Sequence, residues 1–162
     1  MTEPRPHVTD GLPTEALDFR ALGAADLPFV RDTWRESYHR APQRSRMPWA
    51  AYKATYCVII DQLLDREDVW TLGAYASNGD VIGWIAWTPG RLPVVHYAYV
   101  RHGARRAGVL TRLLRKAELG ARFVYTFRGV KGRGESIDRT VAAALAKRGV
   151  SAVHVQIREF LR

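Results

Sequence analysis

Residues 100–114 constrain this chain more than any other part of it. They read VRHGARRAGVLTRLL and follow a β-like stretch, Val94–Val100. A turn rich in glycine and arginine then leads into an amphipathic helix. The first N–H groups of a helix have no partner inside the helix, and the helix dipole adds about half a positive charge at that end. The pattern therefore predicts an anion site, with a phosphate or pyrophosphate as its ligand.

The glycines and arginines of this turn have two interpretations. Gly103 and Gly108 would let the backbone approach a ligand closely, and Arg101, Arg105 and Arg106 would surround that ligand with positive charge. The same connection is also common in α/β proteins without such a ligand, where glycines form the turn and arginines face solvent. The turn alone leaves both interpretations open.

Length and composition favour one domain. The chain has 162 residues and is 47% hydrophobic, enough for one core. It contains no apolar run of the ~20 residues that a membrane span needs, so we expect no membrane partner and a cytoplasmic location. Its single cysteine, Cys57, lies in an apolar stretch and predicts a buried thiol. No Cys/His spacing indicates a metal site.

Positive charge is concentrated in the C-terminal part. Residues 1–98 contain 10 Lys+Arg and 12 Asp+Glu, whereas residues 99–162 contain 15 and 4. This asymmetry fits a phosphate-rich ligand, and it equally fits a nucleic acid, because the backbone of a polyanion attracts Lys and Arg without sequence information.

The periodicity of the chain predicts a compact α/β order. Three prolines and weak apolar periodicity make residues 1–16 a flexible leader, and residues 17–162 form a single domain. Asn78 and Gly79 predict a hairpin turn, Asp26 lies near the start of the first helix, and Ser136 and Gly149 bound a later helix. The predicted strands are 17–22, 69–76, 81–88, 94–100, 123–127 and 153–160, and the predicted helices are 24–39, 49–64, 108–119 and 136–147.

The turn resembles the acyl-CoA-binding signature of the GNAT N-acetyltransferase family. In that signature a valine ends a strand, and Val-x-Pro-x-x-Arg-Gly-x-Gly-x-Gly/Ala precedes paired leucines. The matching positions here are Val100, Arg105, Gly108, Leu113 and Leu114. The departures are His102 for the proline, Arg106 for the first glycine and Leu110 for the last small residue. A bulky Leu110 in the first helical turn could crowd a pyrophosphate.

The order of elements is similar to the GNAT fold across residues 17–162. The resemblance implies an α/β, GNAT-like (acyl-CoA N-acyltransferase) fold, a mixed central sheet flanked by helices that splays between residues 94–100 and 123–127. It also implies acetyl-CoA as co-substrate in that gap, with pantetheine near the end of the fourth strand and pyrophosphate on the following loop. The implied cofactor-binding residues are Tyr99, Val100, Arg101, Arg105, Arg106, Ala107, Gly108, Val109 and Leu110.

His96 is the candidate general base. Strand alternation predicts that it shares a face with Val94, Ala98 and Val100. Bases of GNAT enzymes commonly lie on this strand, and an unperturbed histidine pKa of ~6.5 suits proton transfer near neutral pH. The alternative is a half-buried strand histidine whose ring is satisfied within the protein.

The general acid is harder to assign. Many GNAT enzymes carry a tyrosine about four residues before the glycine that ends the helix after the fifth strand, and here that position is Leu145. Tyr125 is the candidate substitute, with Tyr99 or water as alternatives. The departures at Leu110 and Leu145 leave two functions open. One is an N-acetyltransferase in which a primary amine attacks acetyl-CoA directly. The other is an inactive GNAT-like domain that binds nucleic acid or a protein through its basic C-terminal half.

Other features are less specific. Residues 128–134 form a basic, glycine-rich connection that lacks the ending of a P-loop. The loop between the first two helices usually borders the acceptor site in this fold, which brings Arg40, Arg44 and Arg46 near a small-molecule or protein amine and favours an acidic or neutral one. The last strand could pair in a homodimer. Aromatic residues that either line an acceptor pocket or form core are Trp34, Tyr38, Trp49, Tyr52, Trp84 and Trp87.

Overall fold

A computed structural model describes residues 17–40, 45–126 and 151–154 of the chain. Within these residues the strands are β1 Asp18–Ala21, β2 Trp70–Tyr75, β3 Val81–Thr88, β4 Val94–Val100, β5 Arg122–Tyr125 and β6 Ser151–His154. The helices are α1 Leu27–His39, α2 Trp49–Tyr52, α3 Val58–Leu64 and α4 Val109–Lys116. A π-helical turn, Lys53–Cys57, joins α2 to α3, and a 3-10 turn, His102–Ala104, precedes α4. The prediction of a mixed sheet flanked by helices is confirmed.

The strands lie in the sheet in the order in which they occur in the chain. Each strand from β1 to β4 pairs antiparallel with the next. Short turns connect β2 to β3 and β3 to β4, whereas the helices α1 to α3 lie between β1 and β2. Gly79 adopts a φ of 85° in the first of these turns, as the hairpin prediction requires. The β5 strand follows the α4 crossover and pairs parallel with β4 and with β6.

Apolar side chains cover both faces of the sheet. On one face Trp84 and Ala86 of β3 pack with buried residues of α1, α2 and α3. On the other face Ile85 and Trp87 pack with Leu113 of α4. Since β3 is covered on both sides, its residues are buried nearly throughout. This central strand fixes the position of β4, which carries most of the candidate site.

The first helix follows its predicted periodicity. Val30, Trp34 and Tyr38 recur every four residues and are buried. Asp26 occupies the N-cap, but its carboxylate accepts hydrogen bonds from the Gly23 N–H (2.9 Å) and the Tyr75 hydroxyl (2.7 Å). It therefore ties the start of α1 to β2 in addition to any effect on the helix dipole.

Several predicted elements differ in extent or lie outside the described residues. The predicted helix 49–64 is continuous but contains the π-helical turn. The last strand begins at Ser151, two residues before its predicted start. The leader 1–16, the basic connection 128–134, the helix 136–147 with Leu145, and the C-terminal part of the last strand fall outside the described residues. In the part of the chain that the structure describes, no helix is both long and apolar enough to cross a membrane, and no cluster of three potential metal ligands occurs.

Candidate functional site

Strands β4 and β5 pair at the start of β4. Their paired residues are Val94 with Val124 and Val95 with Tyr125. The ladder ends with a 3.0 Å hydrogen bond from the Thr126 N–H to the Val95 carbonyl. The remainder of β4, residues 96–100, has no paired strand on this side among the described residues. The residues that would continue β5 opposite this part of β4 follow Thr126 and lie outside the described residues, so the predicted splay between the two strands stays a prediction.

A β-bulge lies where the described ladder between β4 and β5 ends. Ala86 pairs with Tyr97, but the next residue of β3, Trp87, pairs with Val95. His96 is thus the extra residue of β4, and a bulge shifts the alternation of side chains along the strand.

The bulge corrects the predicted face of His96. Val95 packs in the cluster on the α4 side of the sheet, and so do Ala98 and Val100. The prediction that Val94, His96, Ala98 and Val100 share one face is therefore wrong, because strict alternation assumed an uninterrupted strand.

The His96 side chain is completely buried, with 0% of its surface exposed. Its Nε2 atom is hydrogen-bonded to the Thr88 hydroxyl on β3 at 2.8 Å. The pKa of His96 is lowered to about 4, mainly by burial and in smaller part by the nearby charge of Arg66, while the charge of Asp68 opposes the shift. The imidazole is therefore neutral at pH 7 and has a lone pair, but it holds a proton weakly. Its role as general base stays a prediction.

The sequence did not predict Thr126 as a residue of the site. Its side chain is buried, and its hydroxyl donates a 2.9 Å hydrogen bond to the backbone carbonyl of His96. A threonine at the end of a short strand carries no local signal for this contact, because the partner lies thirty residues earlier in the chain.

The loop before α4 has the backbone geometry of an anion site. Arg106 and Gly108 both adopt left-handed conformations, with φ of 69° and 75°. Gly108 is the N-cap of α4, and the Arg112 N–H donates to its carbonyl at 3.0 Å. The N–H groups of residues 109–111 consequently have no acceptor within the helix. The first turn of α4 contains no acidic side chain to compete with an anion.

Two arginines near this loop also stabilise the protein itself. Arg105 is exposed, and its Nε donates a 3.2 Å hydrogen bond to the carbonyl of Val100, which ties the loop to the end of β4. Arg101 lies 3.5 Å from the Asp80 carboxylate and above the Phe29 ring. Both side chains therefore make contacts within the protein, in addition to the phosphate contacts that the sequence predicts for them.

The other predicted cofactor-binding residues lie on both sides of this loop. Tyr99 stacks on Trp84 at 6.2 Å between ring centroids, so its ring faces the α1 side of the sheet. Val109 is buried and anchors α4 in the core, which leaves its backbone N–H for a ligand. Ala107 and Leu110 are partly exposed next to Gly108. Their contacts with a cofactor stay predictions.

Tyr125 lies close to His96 along the sheet. It pairs with Val95, the residue that precedes His96, and it is half-buried against the cluster on the α4 side. The structure thus places both predicted catalytic residues at the end of the described ladder between β4 and β5. The proposed role of Tyr125 as general acid is not tested by this placement.

The aromatic set belongs mainly to the core. Trp49 is 47% exposed, and the other members are buried. The buried members are Trp34, Tyr38, Tyr52, Trp84 and Trp87. In the loop between α1 and α2, Arg40 pairs with Glu36 at 3.1 Å, whereas Arg44 lies outside the described residues.

Solved structures identify the fold. A provisionally assigned acetyl transferase from Pyrococcus furiosus superposes with a TM-score of 0.54 and 16% identity, over 86% of this chain and 82% of that one. The aminoglycoside 6'-N-acetyltransferase AAC(6')-Ih from Acinetobacter baumannii gives 0.51 and 14%, over 80% and 89%. AAC(6')-Iy, solved with the bisubstrate analogue CoA-S-monomethyl-acetylneamine, gives 0.52 and 16%, over 81% and 90%.

Comparisons of the sequence gave no match. No protein-family model matches the chain, and no curated protein matches it. The structural likeness nevertheless establishes that the chain has the fold of the GNAT N-acetyltransferases, as its turn and its order of elements predicted.

Proposed function

We propose that this protein is an N-acetyltransferase that moves an acetyl group from acetyl-CoA to a primary amine. The observation that carries the proposal is the loop before α4, where two residues in left-handed conformations, Arg106 and Gly108, precede the N–H groups at the start of the helix. An extended thioester nucleotide would lie along the edge of β4 that faces away from β3, in the predicted splay, and place its pyrophosphate on this loop. The CoA-containing ligand of AAC(6')-Iy supports this assignment for a chain of the same fold.

The edge of β4 that faces away from β3 supplies backbone groups for the extended part of the ligand. The Arg101 N–H donates to the Ile82 carbonyl at 2.8 Å, so the backbone N–H and C=O groups of Arg101 and of every second residue before it point toward β3. The N–H and C=O groups of Ala98 and the N–H of Val100 therefore point away from β3, toward the predicted splay. They fit the amide groups of a pantetheine chain, in the way that an added strand pairs with a sheet edge.

The loop before α4 supplies the anion cradle. Two left-handed residues in close succession, Arg106 and Gly108, turn neighbouring N–H groups toward a common point. The unpaired N–H groups at the start of α4 add to this concavity, and the exposed Arg105 and Arg106 side chains contribute charge. We assign the pyrophosphate to the backbone of residues 105–110.

The reaction needs few groups from the protein. The lone pair of a neutral amine forms the new C–N bond at the thioester carbonyl, and the C–S bond breaks. We assign His96 to accept the proton that the nitrogen loses, because the imidazole is neutral, and Tyr125 to protonate the departing thiolate. A pKa of about 4 makes the protonated state of His96 short-lived.

Calorimetry with acetyl-CoA tests the proposal. At 100 times the dissociation constant, binding to the native state alone adds ~2.7 kcal/mol of stability. Simultaneous Arg105→Ala and Arg106→Ala should abolish binding, whereas Arg115→Ala, an exposed arginine in the last turn of α4, should leave it unchanged. Release of free CoA thiol with a panel of acidic, neutral and basic primary amines then tests catalysis. Absence of binding in the wild-type protein would contradict the proposal.

A basic surface supports the second candidate, an inactive domain that binds nucleic acid or a protein. Within residues 101–126 the exposed basic side chains outnumber the one exposed carboxylate, Glu118. The exposed basic members besides His102 are Arg105, Arg106, Arg115, Lys116 and Arg122. Binding of a polyanion should weaken steeply as salt rises, because counterions are released, whereas compact cofactor binding should be less sensitive. Tight, salt-dependent binding of single-stranded RNA or DNA without binding of acetyl-CoA would favour this candidate.

A further inference from the structure

His96 of β4 is hydrogen-bonded to residues from β3 and from the end of β5. The bulge makes His96 the extra residue opposite β3, and the ladder with β5 ends at its predecessor, Val95. The His96 ring is hydrogen-bonded to the Thr88 hydroxyl of β3 at 2.8 Å, and its backbone carbonyl accepts the Thr126 hydroxyl at 2.9 Å. One threonine on each side therefore holds the same residue.

We propose that Thr126 is a positioning residue, which fixes the bulge at His96 and so aligns the β4 backbone beyond the bulge for an acyl-CoA ligand. Thr88 bonds to the side chain of the bulge residue, whereas Thr126 bonds to its backbone. This inference rests on the proposed acyl-CoA site. The role of Thr126 is to orient other groups, and it makes no contact with the reacting atoms in the proposal.

Thr126 follows the last paired residue of β5, Tyr125. The backbone N–H of Thr126 donates to the Val95 carbonyl, and its hydroxyl donates to the next carbonyl along β4, that of His96. Thr126 thereby spans two successive residues of β4 with one backbone and one side-chain hydrogen bond. Without the hydroxyl, β5 would hold β4 only through Val95, before the bulge.

The consequence appears at the next residues of β4. A bulge adds a backbone unit that the ladder with β3 does not pair, so its orientation depends on contacts from elsewhere. With the His96 carbonyl held by Thr126, the next backbone groups of β4 that point away from β3 are those of Ala98. A rotation of the His96 peptide would change the direction of those groups, and ligand binding is sensitive to displacements of this kind.

Burial makes the hydroxyl necessary. Thr126 is 2% exposed and His96 is 0% exposed, so water does not readily replace a missing donor at this carbonyl. Valine has nearly the shape of threonine without the hydroxyl, and serine keeps the hydroxyl without the methyl group. These two substitutions at position 126 separate the hydrogen bond from the packing.

The first arm of the test measures binding of coenzyme A by calorimetry. We expect Thr126→Val to raise the dissociation constant about tenfold, equivalent to about 1.4 kcal/mol. Thr126→Ser should stay within about twofold of the wild type, because it retains the donor. Thr71→Val, a partly buried threonine on β2, is the control for an ordinary strand threonine and should bind as the wild type does. Equal binding by the wild type and Thr126→Val would overturn the inference.

The second arm needs no ligand, so it separates this inference from the proposed function. We expect amide hydrogen exchange at Tyr97, the first residue after the bulge, to be about tenfold faster in Thr126→Val than in Thr71→Val, with Thr126→Ser close to the wild type. If the wild-type protein binds no coenzyme A, the proposed site fails, and this proposal fails with it even if the exchange result shows that Thr126 holds the bulge. Unchanged exchange at Tyr97 in Thr126→Val would reject a positioning role.

Discussion

The Thr88 hydroxyl and the His96 imidazole form a 2.8 Å hydrogen bond at a place where the histidine is fully buried. The bond links the end of β3 to the bulge of β4, and it satisfies one nitrogen of a ring that solvent does not reach. Burial makes the charged form of the ring costly, and the pKa of His96 falls to about 4 as a result. The histidine is thus a structural group of the bulge as well as the candidate base.

The low pKa of His96 predicts a loss of stability in mild acid. An unfolded chain protonates this histidine near pH 6.5, whereas the folded protein does so only near pH 4. Between these values the unfolded state binds more protons, so the free energy of unfolding falls as the pH falls, by about 3 kcal/mol in all. Above pH 6.5 this contribution is constant.

Urea denaturation of the wild type and of His96→Gln at several pH values measures this contribution. The difference between the two proteins removes the effect of carboxylates that titrate in the same range. We expect the free energy of unfolding of His96→Gln to depend less on pH than that of the wild type. The exposed His102 provides the control, and His102→Gln should follow the wild-type curve. Parallel curves for the wild type and His96→Gln would show that the buried ring is not held neutral.

The two left-handed residues before α4 predict opposite effects of substitution. A side chain added at Gly108 would meet no atom within 4 Å, so the cost of Gly108→Ala is conformational, about 1 kcal/mol at a φ of 75°. Arg106 already has this conformational strain at a φ of 69°. Arg106→Gly should therefore stabilise the protein by up to about 1 kcal/mol.

Chemical denaturation of the single variants checks these signs, with Gly103→Ala as control. Gly103 lies in the 3-10 turn, has open space around its Cβ position and needs no positive φ. Alanine there should be neutral or stabilise by up to about 1 kcal/mol, because it restricts the unfolded chain. A destabilising Arg106→Gly would mean that the arginine side chain contributes more than its backbone strain costs.

The sequence predicted the elements of this site better than its details. The bounds of β3 and β4 agree with the prediction, because apolar runs between turn residues define both strands. The bulge escaped prediction, since one extra residue in a strand has no signature in a single sequence. Its effect was nonetheless large, because it changed the face assigned to the residues around His96.

The environment of His96 could not be predicted for a related reason. Its ring is held by Thr88 and its carbonyl by Thr126, and these partners lie eight and thirty residues away. Which threonine meets which strand position depends on the register of the sheet, and periodicity does not specify register between separate strands. The splay between β4 and β5 stays a prediction from the resemblance in the order of elements.

Gly83 allows α4 to lie close to the sheet. A Cβ atom at this position would lie 3.0 Å from the Tyr99 carbonyl oxygen and 3.1 Å from Cγ1 of Val109. We therefore expect Gly83→Ala to destabilise the protein by about 1–3 kcal/mol through overpacking. The displacement would fall on the first residue of α4, so coenzyme A binding should weaken as well.

A double-mutant cycle with Val109→Ala tests this contact. Removing the valine methyl groups should make the Gly83→Ala substitution less costly, with a favourable coupling of about 0.5–1 kcal/mol in chemical denaturation. The contact with the Tyr99 carbonyl remains in both backgrounds, so the rescue should be incomplete. Additive effects of the two substitutions would place the strain elsewhere.

Asp61 joins α3 to α1 through two arginines. Arg35 contacts both of its carboxylate oxygens at 2.6 Å, and Nε of Arg31 lies 3.4 Å away. The Asp61 side chain is 35% exposed, so solvent screens this network only partly. Asp61→Asn removes the charge between two guanidinium groups and should lower the free energy of unfolding by about 1–2 kcal/mol.

Asp18→Asn provides the matched comparison, because Asp18 pairs with Arg20 at 3.3 Å and both side chains are about 60% exposed. A pair this exposed contributes little, and we expect its loss to change the free energy of unfolding by less than about 0.5 kcal/mol. Raising the salt concentration should reduce the difference between wild type and Asp61→Asn only in part, because the network is partly shielded from solvent. Equal effects of the two substitutions in urea denaturation would show that the partly buried network adds nothing to the packing of α3 on α1.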